Sequence, residues 1–470
     1  MTTINWMHEV EKRKENLIKE TQQLLQIASV LDDSTIAEGS PFGEGIAEAL
    51  QYLLQKGEEN QFFVKNLDGY AGVIEYGSGE ESVGILCHLD VVPAGNGWTS
   101  PPFSAEIRDE RIYARGAIDN KGPTMAAFFA LLIVKELGLT IDKRVRMILG
   151  TDEESNWRCV EHYFKHEEMP TVGFAPDADF PIIHAEKGIT DVSFNWESNE
   201  EEPATDVALS SFSAGERFNM VPDQAHAIIR GDSSIFHNME TDFKQFLANN
   251  QHNGEAKVEQ DELHLTYYGI SAHGSTPENG LNAGTSLAQF LAKWTFQKSA
   301  NAFLSFIQTY CDFDGTGLKI AVSDQASGPL TMNAGLLKFQ EKKEAKVGLN
   351  IRYPVTASAE ECLNQLKRVA NSQHATFTIH DHMGPNYVEE NHPLIKTLQQ
   401  VYQRQTGEEA NLLAIGGGTY ARSLKTGVAF GPMFPGREDV AHKKDEYIAI
   451  DDLMKMTAIY AEAIYELAKA

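Results

Sequence analysis

The chain has 470 residues, with 67 acidic against 40 basic side chains and a formal net charge of -27 at pH 7. That length exceeds one ordinary core and predicts two domains, and so acidic a surface excludes nucleic acid and anionic membrane as partners, since both need basic surface. Four scattered cysteines (Cys87, Cys159, Cys311, Cys362) form no Cys-x-x-Cys pair and read as reduced, structural thiols of a cytoplasmic protein. The segment to about Lys56 predicts helix, with Trp6, Val10, Leu17, Leu24 and Leu25 at rough helical spacing. Its start, Met1 to Glu20, is charged and lacks the apolar core of a signal peptide. Strands are expected near Tyr70–Tyr76 and Ser82–His88, then a Gly/Pro-rich loop from Val92 to Trp98. Gly122–Leu137 predicts a helix, with Pro123 in its first turn and Gly138 as the stop. The run Met125–Val134 inside it is the longest near-continuous apolar stretch, too short to span a bilayer.

Strand and helix alternate to about Ile183, which predicts an α/β unit: a parallel or mixed sheet with helices on both faces. From Ala185-Glu-Lys-Gly188 to about Gly384 alternating strands become frequent, at Ala225–Ile229, Leu263–Tyr268, Ala345–Ile351 and Thr376–Ile379. Helices at Leu281–Trp294 and Ala359–Val369 lie between them, so this stretch reads as an α+β insert on an antiparallel sheet. The acidic run at 199–203 reads as a solvated loop. After Pro385 the α/β character returns, with a helix from His392 to Gln405, a strand at Gly427–Phe430 and a closing helix at Asp451–Leu467. The expected domains are therefore 1–186 and 385–470 for a discontinuous first domain, and 187–384 for the insert.

Three apolar runs stop at chemistry-bearing residues: Val83 to Cys87 at His88, Val145 to Leu149 before Asp152-Glu153-Glu154, and Val172 to Ala175 before Asp177. In open α/β sheets ligands collect outside the carboxyl ends of strands. Each signal has an ordinary reading when taken alone. His88-Leu-Asp90 is a strand end with a turn aspartate; Asp119 is a helix-leading turn or cap. Glu153-Glu154 is a charged loop, Asp177 a turn residue, and His442 an exposed loop side chain. Together they offer imidazole and carboxylate donors enough for two metal ions around a shared carboxylate, a standard hydrolytic arrangement. Nitrogen and oxygen donors without thiolate suit Zn, Mn or Co. The Asp90 carboxylate is expected to accept a hydrogen bond from the second ring nitrogen of His88.

Four blocks, Gly84-Ile-Leu-Cys-His88-Leu-Asp90-Val-Val-Pro93, Ala114-Arg-Gly-Ala-Ile-Asp119-Asn-Lys-Gly, Gly150-Thr-Asp-Glu153-Glu154-Ser and Phe174-Ala-Pro-Asp177, closely resemble those of the di-metal metallopeptidases. That family includes aminoacylase, glutamate carboxypeptidase, acetylornithine deacetylase and succinyl-diaminopimelate desuccinylase, and the chain most resembles its PepV-like dipeptidases along its whole length. The resemblance implies a mixed-sheet, aminopeptidase/carboxypeptidase-like catalytic domain with an inserted α+β lid. It implies that Asp119 bridges two divalent ions, Zn first and Mn or Co as alternatives. His88 and Asp177 would complete one site, and Glu154 and His442 the other. Glu153 would be the general base on a bridging water, and Asp90 would orient His88. The chain has Asp119-Asn120-Lys121 where the family usually has Asp-Asp-Lys; the second position is not a ligand there. The peptide after Asp119 is expected to be cis.

The insert carries further family marks. Ser271-Ala-His273-Gly resembles the lid histidine that stabilises a developing oxyanion, although a turn histidine before a proline is its ordinary reading. Asn219 and Arg352 resemble substrate-binding residues, Arg352 for the C-terminal carboxylate, and Gly416-Gly417-Gly418 would let backbone approach that carboxylate. The implied function is metal-dependent hydrolysis of dipeptides with free amino and carboxyl termini. The alternative is an N-acyl amino acid deacylase such as succinyl-diaminopimelate desuccinylase. Many relatives dimerise through the lid. The enlarged insert of the PepV-like group supplies in one chain what a dimer partner would, so a monomer is favoured over a homodimer.

Overall fold

The computed structural model describes residues 4–197 and 205–469, so the acidic run at 199–203 lies outside the described residues. The chain forms two compact units. One comprises Met1–Ala185, Asn386–Ala414 and Gly418–Ala470; the other comprises Glu186–Pro385 with Ile415–Gly417.

The first unit is built on a nine-stranded mixed sheet. Its strands run Phe63–Leu67, Ala71–Tyr76, Arg144–Gly150, Ser82–His88, Val172–Ala175, Gly427–Ala429, Ile182–Glu186 and Asn386–Tyr387, with Leu412–Ile415 branching from Ile182–Glu186. The four from Arg144–Gly150 to Gly427–Ala429 are mutually parallel. Ser82–His88 is buried along its whole length, as a strand covered on both faces must be. The helix Lys121–Glu136 is buried from Lys121 to Val134, because its sequence is apolar all round rather than on one stripe. Ile450–Ala468 is nearly as buried and packs beside it. Among the described residues no helix is long and apolar enough to cross a membrane.

The expected single helical region before Lys56 is three helices, Trp6–Glu11, Lys14–Leu25 and Glu44–Glu59. The longer break, between Leu25 and Glu44, has local causes. Asp32 accepts a hydrogen bond from Ser34 N–H at a short 3-10 turn, and Gly39 and Gly43 take positive φ (79° and 106°), which L side chains resist.

The second unit is an eight-stranded antiparallel sheet in the order Asn253–Glu259, Glu262–Tyr268, Gln224–Gly231, Val207–Ala214, Thr331–Gln340, Glu344–Tyr353, Gly188–Glu197 and Thr376–Met383. Glu262–Tyr268 alternates buried and part-exposed residues, the signature of a sheet covered on one face. Helices Ser233–Asn250, Ala283–Leu291, Lys298–Tyr310 and Ala359–Ser372 supply the cover, through a core rich in phenylalanine that includes Phe194, Phe243, Phe290, Phe303 and Phe306.

Candidate metal centre

The parallel register sets the site. Ser82–His88 lies between Arg144–Gly150 and Val172–Ala175, with His88 opposite Gly150 and Ile85 opposite Phe174. The three strands therefore end side by side, and their next residues (Asp90, Asp152–Glu154 and Asp177) leave the sheet together. Asp119 arrives from the loop before the buried helix, and its peptide bond to Asn120 is cis. His442 arrives from a turn in which its own φ is 61°.

These residues converge in three sets whose donor atoms lie within 4.8 Å of one another: His88, Asp119 and Asp177; Asp119, Glu154 and His442; and His88, Glu153 and Glu154. The two oxygens of Asp119 face different partners. Oδ1 is 3.0 Å from His88 Nε2, and Oδ2 is 2.9 Å from His442 Nε2. His88 Nε2 is also 3.3 Å from Asp177 Oδ1, and His442 Nε2 is 3.0 Å from Glu154 Oε1.

The tautomer of His88 tests whether a cation fits. Its Nδ1 lies 2.9 Å from the Asp90 main-chain oxygen, which only accepts, so Nδ1 carries hydrogen. The Nε2 lone pair then faces two carboxylates, an arrangement that requires positive charge between them. Burial works against an imidazolium at His88, but Asp177 and Asp119 outweigh it and raise its proton affinity well above the ordinary value. Hydrogen bonds to Asp119 and Glu154 raise His442 to about 10. Burial raises Asp177 and Glu154. Burial also pushes on Asp119, but hydrogen bonds from His442 and His88 overcome it and hold its carboxyl below the usual range. A divalent cation in place of each shared proton satisfies the same atoms with two charges instead of one. The donor set fits two such ions.

Glu153 sits beside both ligand sets, and burial followed by the charge of Asp177 raises its carboxyl well above the ordinary range, the direction a general base requires. Asp90 departs from expectation in one atom. Its main-chain oxygen, not its carboxylate, takes the His88 hydrogen bond; the carboxylate Oδ1 stands 3.5 Å from that nitrogen. Oδ2 instead accepts from Glu154 N–H at 2.9 Å. One carboxylate oxygen is thus spent on the glutamate loop, while Oδ1, buried without a hydrogen-bond partner of its own, stays beside the His88 ring and adds to its raised proton affinity.

In the second unit, Asn219, His273, Arg352 and Gly416 form a connected group. Gly274 N–H donates to Asn219 O at 2.7 Å, and Asn333 holds the carbonyls on either side, those of Phe218 and Met220. Ser275 N–H donates to His273 Nδ1 (3.2 Å), so the neutral ring carries its hydrogen on Nε2 and offers a donor there. Burial, with Arg352, lowers the proton affinity of His273 and favours that neutral form. Arg352 donates from Nε to Asn350 Oδ1 (2.8 Å) and from Nη1 to Gly416 O (3.0 Å), which fastens Ile415–Gly417 to this unit. Gly418 belongs to the first unit.

Of three supporting side chains, Asn120 was read in the sequence only as a non-ligand, and Arg115 and Glu446 went unread. Asn120 donates through Nδ2 to Asp177 Oδ1 at 3.1 Å and accepts from Thr124 Oγ1 at 3.0 Å. Arg115 and Glu446 form a fully buried ion pair at 2.7 Å behind Asp119. The available signal was an arginine and a glutamate near two ligand residues in a sequence that leaves few charges inside.

The model of peptidase family M20/M25/M40 matches residues 84–466. The chain belongs to that family. It is accordingly a metallopeptidase, a hydrolase. Among M20 relatives, a Bacillus subtilis (strain 168) protein named "Putative dipeptidase YtjP" is 52% identical over 468 residues, covering 99% of this chain and 100% of the relative. A Staphylococcus epidermidis protein named "Putative dipeptidase" is 42% identical over 467 residues, covering 98% and 99%. The M20 fold is also that of the aminoacylhistidine dipeptidase from Vibrio alginolyticus, with a TM-score of 0.59 at 14% identity and 96% of each chain covered.

Proposed function

We propose that this M20 enzyme is a cytoplasmic dipeptidase that hydrolyses dipeptides with free amino and carboxyl termini. Two full-length relatives carry dipeptidase names, and the site favours that chemistry over deacylation. The observation that carries this reading is a cavity of about 200 Å³ beside the proposed ligands, lined by Ile118, Asp119, Asp177, Asp179, Met433 and Asp439 among others. Besides the metal-ligand candidates Asp119 and Asp177, its described lining includes the carboxylates of Asp179 and Asp439 and no lysine or arginine. An α-ammonium group is attracted there; the carboxylate of a succinyl tail is repelled.

His88 and Asp177 would hold one ion, Glu154 and His442 the other, and Asp119 would serve both, with zinc first and manganese or cobalt as alternatives. When bound, the ions would supply Lewis-acid chemistry and lower the pKa of water at the site. Glu153 takes the proton of the attacking water and passes it to the leaving amine. His273 donates from Nε2 to the oxyanion. Arg352, Asn219 and the Gly416–Gly418 backbone hold the carboxylate end, and the main chain of Asp90 keeps the His88 ring oriented.

The test is a panel of free dipeptides beside their N-acetyl and N-succinyl counterparts, run after chelation and again after zinc, manganese or cobalt is restored. Free dipeptides should be cleaved only with metal present, and the N-blocked compounds far more slowly. Faster turnover of the N-succinyl series would replace this reading with the deacylase.

A further inference from the structure

His88 and His442 are held in different ways. The His88 ring is fully buried, so packing fixes it. The His442 side chain is 53% exposed, so its position depends on its backbone. That backbone lies in the left-handed region at φ 61°, where a residue with a β-carbon needs outside support.

The support traces to one buried pair. Glu446 is fully buried; its Oε2 accepts from Arg115 Nη1 at 2.7 Å and from Gly116 N–H at 3.1 Å. Its Oε1 accepts from Ile118 N–H at 2.9 Å and from Asp119 N–H at 3.1 Å. One carboxylate thus fixes the loop that ends on Asp119. Arg115 faces the other way as well, donating to the main-chain oxygens of His442 and Lys443, both at 3.2 Å, and to Pro93 and Ala94, both at 3.4 Å. Asp445 closes the same turn by accepting from Thr99 N–H at 2.8 Å and Thr99 Oγ1 at 3.0 Å.

We infer that Glu446, paired with Arg115, is a positioning residue that sets the His442 turn in register with Asp119 and so selectively builds the Asp119–Glu154–His442 metal position. The other position takes His88 and Asp177 from strand ends that the sheet already fixes, and draws on this clamp only through the shared Asp119. The inference rests on the metal site proposed above.

The test uses the full chain, stripped of metal and titrated with cobalt(II) at pH 8, following the visible spectrum and calorimetry. The variants are Glu446→Gln and Arg115→Lys, with His442→Ala as the reference for loss of one position. Outer partners of metal ligands typically change affinity by about 10–100-fold, so the ion at the His442 position should loosen by that factor while the other, which shares only Asp119 with the clamp, loosens distinctly less. The spectrum should lose the same component that His442→Ala loses. Should Glu446→Gln fail to fold, Arg115→Lys carries the same readout, because it keeps a positive charge but loses the fork that reaches the His442 and Lys443 carbonyls together. Equal weakening of both ions, or undiminished binding of both in a folded variant, overturns the inference and leaves the metal site standing. A wild type that takes up no ion removes the metal site itself, and the inference with it.

Discussion

Glu153 and its neighbour Glu154 share one loop and take different parts because of what each touches. Glu154 faces His442, while Glu153 lies beside His88 with its carboxyl raised by burial and by Asp177. Replacing Glu153 by glutamine should therefore leave metal content unchanged and lower turnover by about 10²–10⁴-fold, the usual worth of a positioned base. A fully loaded variant with near-normal turnover would show that the proton goes elsewhere. The histidines predict a pH effect with a definite sign. Both have raised proton affinity without metal, His442 to about 10, so at pH 7 an entering cation must displace a proton. Metal affinity should fall as pH falls, and binding should release protons. Calorimetry in buffers of different ionisation enthalpy measures that release; heats independent of buffer would contradict the arrangement.

At the scale of elements, the helices and strands that carry the site were readable because their patterns are strong. Ser82–His88 and Lys121–Glu136 fall within one residue of their expected ends, since a continuous apolar run leaves little choice of partner. Phe63–Leu67, short and mostly exposed, was not among the expected elements, and neither was Ser233–Asn250, although its buried Phe236, Met239, Phe243, Phe246 and Leu247 stand at helical spacing. His88, Glu154 and Asp177 were likewise legible because they lie at or just beyond strand ends, whereas Asp119 and His442 come from loops and took their roles from the family resemblance. The main-chain role of Asp90 and the Arg115–Glu446 clamp were not legible, because backbone acceptors and loop-to-loop contacts leave no spacing to read. Gly150 shows how tightly an element fixes the site. A β-carbon there would lie 2.0 Å from the Tyr420 hydroxyl, which itself contacts Cys159 Sγ at 2.9 Å, and the Tyr420 ring stands edge-on to His88 with centroids 6.1 Å apart. Gly150→Ala should cost about 1–3 kcal/mol, as overpacking does. It should also weaken metal binding through the displaced tyrosine. A thermal midpoint and metal affinity equal to those of the wild type would show that Tyr420 moves freely.

At the scale of the whole molecule, charge and sheet edges bear on assembly. A net charge of -27 repels a second copy at long range, more so at low ionic strength. The antiparallel sheet of the second unit has two edges, Asn253–Glu259 and Thr376–Met383, where unpaired backbone groups invite another chain. Both carry polar, exposed side chains. Glu255, Lys257 and Glu259 line one, and His380, Asp381 and His382 the other. Charged edges oppose strand-to-strand pairing, because each added pair would desolvate them without a complementary partner. The enzyme should therefore be a monomer of 52.1 kDa by light scattering in moderate salt, and dilution should change neither its mass nor its specific activity. A mass twice that value, unchanged on dilution, would show that an edge or helical face of this unit binds its own copy and that charge alone does not keep the chains apart.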